Sequence, residues 1–323
     1  MKAFITGATG FVGSHVAEQL VQRGDEVLAL ARRPDAHTQL AALGCTSVAA
    51  SLDDGAALRA ALAGADIVYH IAGAISAASA DEFFAVNEGG TRKLIAAVRD
   101  AAPHARFVYV SSQAALGPSP RHTPLDEDAA TNPVTAYGRS KLAGERAVQT
   151  GGLAWTIVRP PSVYGPRDRE FLQLFQVVKR GMAPVFGDGS QQLSLVYVED
   201  LARAIILAGT APVAAARVYH AAHGEIALAR DVAKEAGRAI GRNPIVLPLP
   251  GAIASPIAAL VGAAARLAGR RTVINSDKMA EFLAPAWLLS AARAERELGW
   301  KATVALREGM QLTGQWYRDR GWI

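Results

Sequence analysis

Three glycines in this chain stand at a spacing that suits phosphate chemistry. In Lys2-Ala-Phe-Ile-Thr-Gly-Ala-Thr-Gly-Phe-Val-Gly13, a short apolar run is followed by Gly7, Gly10 and Gly13, and then by a helical pattern. Free N–H groups and the positive end of the helix dipole at such a junction attract an anion, here a diphosphate. Gly7 allows the tight turn, Gly10 lets the backbone approach the phosphates, and Gly13 lets the helix pack against the strand. The bland alternative is an ordinary strand-to-helix turn. A second chemistry lies further on, where Tyr137 and Lys141 share one helix face at an i, i+4 spacing. An ammonium beside a phenol favours the phenolate, which otherwise forms only at about pH 10.

A third signal follows the second strand. Residues 26–31 end at Ala31, and Arg32 and Arg33 come next. A site that prefers NAD usually places a carboxylate here to accept from the ribose 2′-hydroxyl. Two guanidinium groups and no carboxylate suit a 2′-phosphate, hence NADP(H) as the preferred cofactor and NAD(H) as the second choice. Otherwise both arginines are solvated loop residues.

These groups need a scaffold that brings distant segments together. Strands are read at 3–6, 26–31, 46–50, 66–71, 106–110, 155–158, 195–198 and 217–221. Helices are read at 11–23, 52–62, 82–101, 135–145, 171–180 and 199–207, with Asp53 or Asp54 capping the second. Ala72-Gly73 leaves room for a ligand at the end of one strand, and Ser111-Ser112 closes another. Arg159-Pro-Pro161 must leave the ladder, because consecutive prolines cannot continue a central strand. Such alternation predicts a parallel sheet with helices on both faces, and the remainder of the chain reads as mostly helical.

Composition narrows the function. The chain has 323 residues, 50% of them hydrophobic, and a formal charge of +5. No basic stripe or basic–aromatic interleaving is present, which argues against nucleic acid as a partner. One cysteine, Cys45, excludes an internal disulfide and a thiolate-rich metal site. His220 and His223 straddle the end of a strand, no Cys, Asp or Glu completes a ligand set with them, and they are read as core or loop residues, so no metal is expected. Strand residues from position 3 leave no room for a signal peptide, and a cytoplasmic location is expected. The apolar run 249–268 contains Pro250, Gly251, Pro256 and Gly262. It reads as covering an apolar pocket or lying on a membrane surface rather than spanning one.

The glycine turn with Ser112, Tyr137 and Lys141 resembles the short-chain dehydrogenase/reductase superfamily. The finer motifs are similar to its extended, epimerase/dehydratase-type branch. They are Thr6-Gly-Ala-Thr-Gly-Phe-Val-Gly13, His70-Ile-Ala-Gly73, Val110-Ser-Ser112, Tyr137-Gly-Arg-Ser-Lys141, Arg159-Pro-Pro-Ser-Val-Tyr-Gly165 and Val196-Tyr-Val-Glu-Asp-Leu201, with Arg293-Ala-Glu-Arg-Glu-Leu-Gly-Trp300 near the end. The resemblance implies an α/β fold, a doubly wound parallel Rossmann sheet with a smaller, mostly helical C-terminal substrate domain. The dinucleotide-binding part would be 1–165 plus 193–222, and the substrate-binding part 166–192 plus 223–323. A homodimer through helices 82–101 and 137–150 is also implied.

The same resemblance assigns roles. Tyr137 would be the general acid/base, Lys141 would favour its phenolate and bind the nicotinamide ribose, and Ser112 would hold the substrate oxygen, with Ser111 as the alternative. Gly7, Thr9, Gly10, Phe11, Val12, Gly13, Arg32, Arg33, Leu52, Ala72, Gly73, Pro160 and Val163 would contact the cofactor together with Tyr137 and Lys141. Asn87 matches a hydrogen-bonding asparagine. Gly73 stands where alanine is more usual, and Ser51 where an adenine-contacting aspartate is usual.

Two departures concern the substrate. Members acting on sugar nucleotides usually carry asparagine at the position of Ser162 and an arginine at that of Leu193. Losing that guanidinium removes a charge-assisted contact to a diphosphate. The Pro160-Pro161 pair, Arg32 and the run Ser111-Ser-Gln-Ala-Ala-Leu-Gly-Pro118 look more like 3β-hydroxysteroid dehydrogenases and dihydroflavonol reductases. The expected activity is an NADP(H)-dependent alcohol/ketone oxidoreductase on a hydrophobic, sterol-like or polycyclic substrate, with the apolar portion 245–267 suiting a greasy pocket. A sugar-nucleotide epimerase or dehydratase with tightly bound cofactor is the alternative, and a non-catalytic nucleotide sensor on the same fold a more distant one.

Overall fold

The computed structural model describes residues 1–32, 34–252, 256 and 276–323. Arg33 and most of the apolar run 249–268 lie outside the described residues. In chain order the strands are β1 (Lys2–Thr6), β2 (Glu26–Ala31), β3 (Thr46–Ala49), β4 (Ile67–His70), β5 (Arg106–Val110), β6 (Ala154–Arg159), β7 (Ser162–Tyr164), β8 (Met182–Phe186), β9 (Gln192–Leu193), β10 (Leu195–Tyr197), β11 (Arg217–His220), β12 (Ala227–Leu228), β13 (Ile245–Leu249) and β14 (Ala286–Trp287). The helices used below are α1 (Phe11–Gln22), α2 (Pro34–Ala42), α3 (Gly55–Leu62), α4 (Ala80–Phe84), α5 (Gly90–Ala101), α6 (Gln113–Leu116), α7 (Ala136–Gln149), α8 (Glu170–Lys179), α9 (Val198–Thr210), α10 (Ala229–Ala239) and α11 (Ser276–Phe282).

Seven strands form one parallel sheet in the order β11-β6-β5-β4-β1-β2-β3. Its interior strands read as continuous apolar runs because both faces are covered. One face packs Ile5, Tyr69, Val108 and Val158 with Val16, Leu20 and Ile205 of α1 and α9. The other packs Phe4, Val68, Phe107 and Ile157 with Leu58, Leu94 and Val148 of α3, α5 and α7. The sheet order reverses direction between β1 and β4, and ligands of open α/β sheets bind in the crevice at such a point.

Local signals set several boundaries. Asp54 caps α3 by accepting from the Ala57 N–H at 3.1 Å. Ser79 caps α4 through the Glu82 N–H. The helix read at 82–101 starts at Ala80 and contains a π turn at Ala85–Gly89 before α5. After Arg159 the chain leaves the main sheet, as the prolines require, and forms β7 beside β10.

Alongside its helices, the C-terminal part carries short strands that the sequence reading did not give. β12, β9 and β14 make a small sheet, and β13 pairs in parallel with β8. Ile245 and Leu247, placed with the expected greasy pocket, are exposed on β13. Alternation explains this: Ala183 and Val185 of β8 turn inward, while Met182 turns out. Among the described residues, no helix is long and apolar enough to cross a membrane.

Candidate active site

The glycine turn closes on the end of β4. Gly7 has φ +80°, and a Cβ there would sit 2.6 Å from the Ala72 backbone nitrogen. A Cβ on Gly13 would sit 2.1 Å from the Gly7 carbonyl oxygen. The Gly10 N–H donates to that carbonyl at 2.9 Å, and Gly10 begins α1 with no side-chain cap. Helix geometry leaves the first N–H groups of α1 without intrahelical acceptors, so they are free to face an anion. This turn, which Cβ atoms at Gly7 and Gly13 would force open, fits a dinucleotide diphosphate. The Thr6 hydroxyl braces it, bonding His70 Nδ1 at 2.7 Å and accepting from the Ala72 N–H at 3.3 Å. Thr9, Phe11 and Val12 are half-buried around the turn, and Arg32 is exposed at the end of β2.

The other expected cofactor residues follow the carboxyl ends of β3, β4 and β6 or lie in β7. Leu52 packs beside Gly90, where a Cβ would lie 3.1 Å from its Cδ1. Ser51 accepts from the Asp53 N–H at 3.1 Å and so shapes its own loop. Pro160 is buried and accepts from the Gln113 N–H at 2.8 Å, and Val163 pairs with Val196 between β7 and β10.

Ser112, Tyr137 and Lys141 converge at the carboxyl ends of β4 and β5. Ser112 caps α6 by accepting from the Ala114 N–H at 3.1 Å. Thr135 caps α7 through the Gly138 N–H, which fixes Tyr137 in the first turn. Burial pushes the Tyr137 phenol up to about 12, and its hydrogen bond with the Ser112 hydroxyl opposes the rise. Burial pulls Lys141 down to about 7, against the attraction of Glu145. The Lys141 ammonium donates to the Val110 carbonyl at 2.8 Å and lies 4.3 Å from the Tyr109 ring centroid.

Two sequence peculiarities acquire reasons here. A Cβ on Gly73 would lie a tight 3.0 Å from Asn87 Oδ1, which glycine avoids, and at an ordinary 3.6 Å from Lys141 Nζ. Asn87, in the π turn, accepts from the Ala74 N–H at 2.8 Å and donates to the Ala74 carbonyl and the Ser140 hydroxyl. It therefore ties the exit of β4 to α7. Ser111 is committed elsewhere: its hydroxyl donates to Glu145 Oε1 at 2.5 Å. Glu145 also receives Arg159 in a buried two-point pair at 2.8 and 2.6 Å.

Sequence reasoning missed the residues that α11 brings over Tyr137. Lys278 Nζ lies 5.5 Å from the Tyr137 ring centroid and pairs with Glu281. Glu281 accepts from the Thr135 hydroxyl at 2.7 Å. Phe83 of α4 packs on the same ring, centroids 5.8 Å apart. The i, i+3 Lys–Glu spacing was visible, but nothing in it points to a tyrosine so far up the chain.

Comparison with known proteins matches residues 3–222 to the family model described as NAD dependent epimerase/dehydratase family. The chain is 32% identical over 320 residues to a ceramide reductase of Caulobacter vibrioides, covering 99% of this chain and 95% of the relative. It is 29% identical to a 2-alkyl-3-oxoalkanoate reductase of Stenotrophomonas maltophilia, covering 96% of this chain and 98% of that protein. The crystal structure of gox2253 superposes with a TM-score of 0.82 at 25% identity, covering 99% of each chain. MoeE5 in complex with UDP-glucuronic acid and NAD shares the fold at 24% identity and a TM-score of 0.80, covering 99% of this chain and 100% of that one.

Proposed function

The chain belongs to the NAD-dependent epimerase/dehydratase family, and from that premise we propose an NADP(H)-dependent oxidoreductase interconverting a secondary alcohol and a ketone on a hydrophobic, lipid-like or polycyclic substrate. That it is an NAD(P)-dependent enzyme of the short-chain dehydrogenase/reductase type follows from the family and its reductase relatives. The observation that carries the substrate reading is Leu193. It lies in β9 between Ala227 and Trp287 and packs against the apolar cluster of Tyr164 and Leu195, where a diphosphate would need a cation. Two relatives named for reductions of a ceramide and of a 2-alkyl-3-oxoalkanoate support the same class. The UDP-sugar complexes share the fold, which does not by itself carry a substrate.

In this reading a bound nicotinamide supplies or takes up the hydride. Tyr137 Oη gives its proton to the carbonyl oxygen in reduction and removes it from the alcohol in oxidation. Ser112 holds that oxygen against the phenol. Lys141, which donates to the Val110 carbonyl, would favour the phenolate and would hold the nicotinamide ribose. Arg32 meets a 2′-phosphate. Segments 166–192 and 223–323 form the substrate-binding part, and the helices spanning 82–101 and 137–150 carry a homodimer contact. The protein works in the cytoplasm, at a membrane surface that holds its substrate.

The test follows NADPH oxidation with panels of lipid ketones, polycyclic ketones and sugar nucleotides. Tyr137→Phe is expected to lower kcat by about 10²- to 10⁴-fold while leaving NADPH binding intact by fluorescence titration. Unchanged turnover would remove Tyr137 from its role. Sugar isomerisation without net NADPH use would replace the substrate class.

A further inference from the structure

The paired strands β8 and β13 turn one apolar face outward. In their register Met182 stands beside Ile245, Pro184 beside Leu247 and Phe186 beside Leu249. Ile245 is 69% exposed, Met182 46% and Leu247 40%, and Pro184 is exposed too. These are large apolar groups gathered on one small sheet, not scattered singly as on ordinary surfaces. The opposite face, with Ala183, Val185 and Val246, already packs into the core.

Charge at one end says what this face meets. Lys179 and Arg180 precede β8, and Arg242 precedes β13; all three are exposed. The strand starts lie together, since the Ile245 N–H donates to the Gly181 carbonyl at 2.9 Å. Among the described residues none of the three cations has an ion-pair partner. Segments 179–188 and 241–250 hold one carboxylate, Asp188, at the far turn. An apolar face rimmed by cations complements a bilayer with anionic headgroups, where acyl chains meet phosphate.

The other end of the face leads to the chemistry. Phe186 stacks on Phe282 with centroids 4.6 Å apart. Phe282 belongs to α11, one turn from Lys278, which lies over Tyr137. Leu283, 42% exposed, continues the apolar surface beside Gly251.

We propose that the outer face of β8 and β13, with Lys179, Arg180 and Arg242, docks the protein on an anionic lipid surface and places the Tyr137 site next to the bilayer. The inference rests on the lipid-like substrate reading only for its purpose; the docking itself is measured without turnover.

The experiment floats the full chain with phosphatidylcholine vesicles and with mixed phosphatidylcholine/phosphatidylglycerol vesicles. The expected result is binding to the mixed vesicles that weakens at high salt. Neutralising Lys179, Arg180 or Arg242 to Gln should weaken it about fivefold each. The double variant Ile245→Ser/Leu247→Ser should weaken it at least tenfold, while its urea-unfolding midpoint stays as in the parent. Equal binding to both vesicle types, no binding, or unaltered binding of these variants would overturn the proposal. So would a shift from dimer to monomer by sedimentation in the serine variant with vesicle binding unchanged, which would make the face a self-contact. Vesicle binding without reduction of any lipid ketone would leave the docking standing and remove the substrate reading.

Discussion

The ammonium of Lys278 lies over the ring of Tyr137, 5.5 Å from its centroid, and is held there by Glu281. A cation beside a phenol stabilises the phenolate more than the neutral form. Lys278→Met is therefore expected to raise the pH at which alcohol oxidation reaches half its maximum by about half a unit to one unit. Lys278→Arg should restore the parent profile. The pH dependence of kcat with an alcohol substrate checks this, and superimposable profiles would deny Lys278 any influence on Tyr137.

Arg32 is exposed at the end of β2. Charge-assisted hydrogen bonds to a phosphate contribute enough that Arg32→Ala should raise the KM for NADPH about tenfold to a hundredfold. The KM for NADH should hardly move. Initial-rate kinetics with the two cofactors decide it, and equal effects on both would take away the 2′-phosphate contact.

Glu145 and Arg159 form a buried pair, with Ser111 as a third member. Removing one partner strands the other charge in a poorly solvated place. Glu145→Ala should cost about 3–5 kcal/mol of folding stability. Urea unfolding measures it, and a loss below about 1 kcal/mol would mean that water reaches the orphaned guanidinium.

His15, His70 and His220 are buried, and burial pushes them down to about 4, about 3 and about 3. Below the ordinary histidine value of about 6.5 the unfolded chain binds protons that the folded chain refuses. Stability therefore falls as pH drops from that value toward 4. Asp168, raised to about 6 by burial, works in the opposite sense between 6 and its ordinary value. The three histidines outweigh it, so the midpoint of thermal unfolding should decline through this window. His220→Asn should flatten the decline, and a parallel curve would show that His220 protonates without opening the fold.

The parts of the site that local chemistry specifies were legible in the sequence. Gly7 and Gly13 are needed where a Cβ would strike neighbouring backbone, and that demand leaves its mark as glycine spacing. Tyr137 and Lys141 announce themselves because helix periodicity alone puts them on one face. The Asp54 cap and the exit at Pro160 are likewise local. The small sheets are different. β9, β12 and β14 have two residues each, too short to show alternation, and exist because distant segments pair. The outward turn of Ile245 could not be read from an apolar run, since periodicity says which residues share a face and not which face is covered. The π turn around Asn87 adds one residue to a helix that otherwise keeps an ordinary pattern, and it is fixed by hydrogen bonds to Ala74 and Ser140.

The central position of Gln192–Leu193 in the small sheet has a consequence for biosynthesis. Its two neighbours, Ala227–Leu228 and Ala286–Trp287, both emerge from the ribosome after it, the second long after. β1 through β6 and the glycine turn are available well before then, and chains fold from the N-terminus as they are made. The nucleotide cradle thus precedes the wall around Leu193 in time. A nascent chain holding dinucleotide at Gly10 would wait, half built, for its last strand before any substrate could be enclosed.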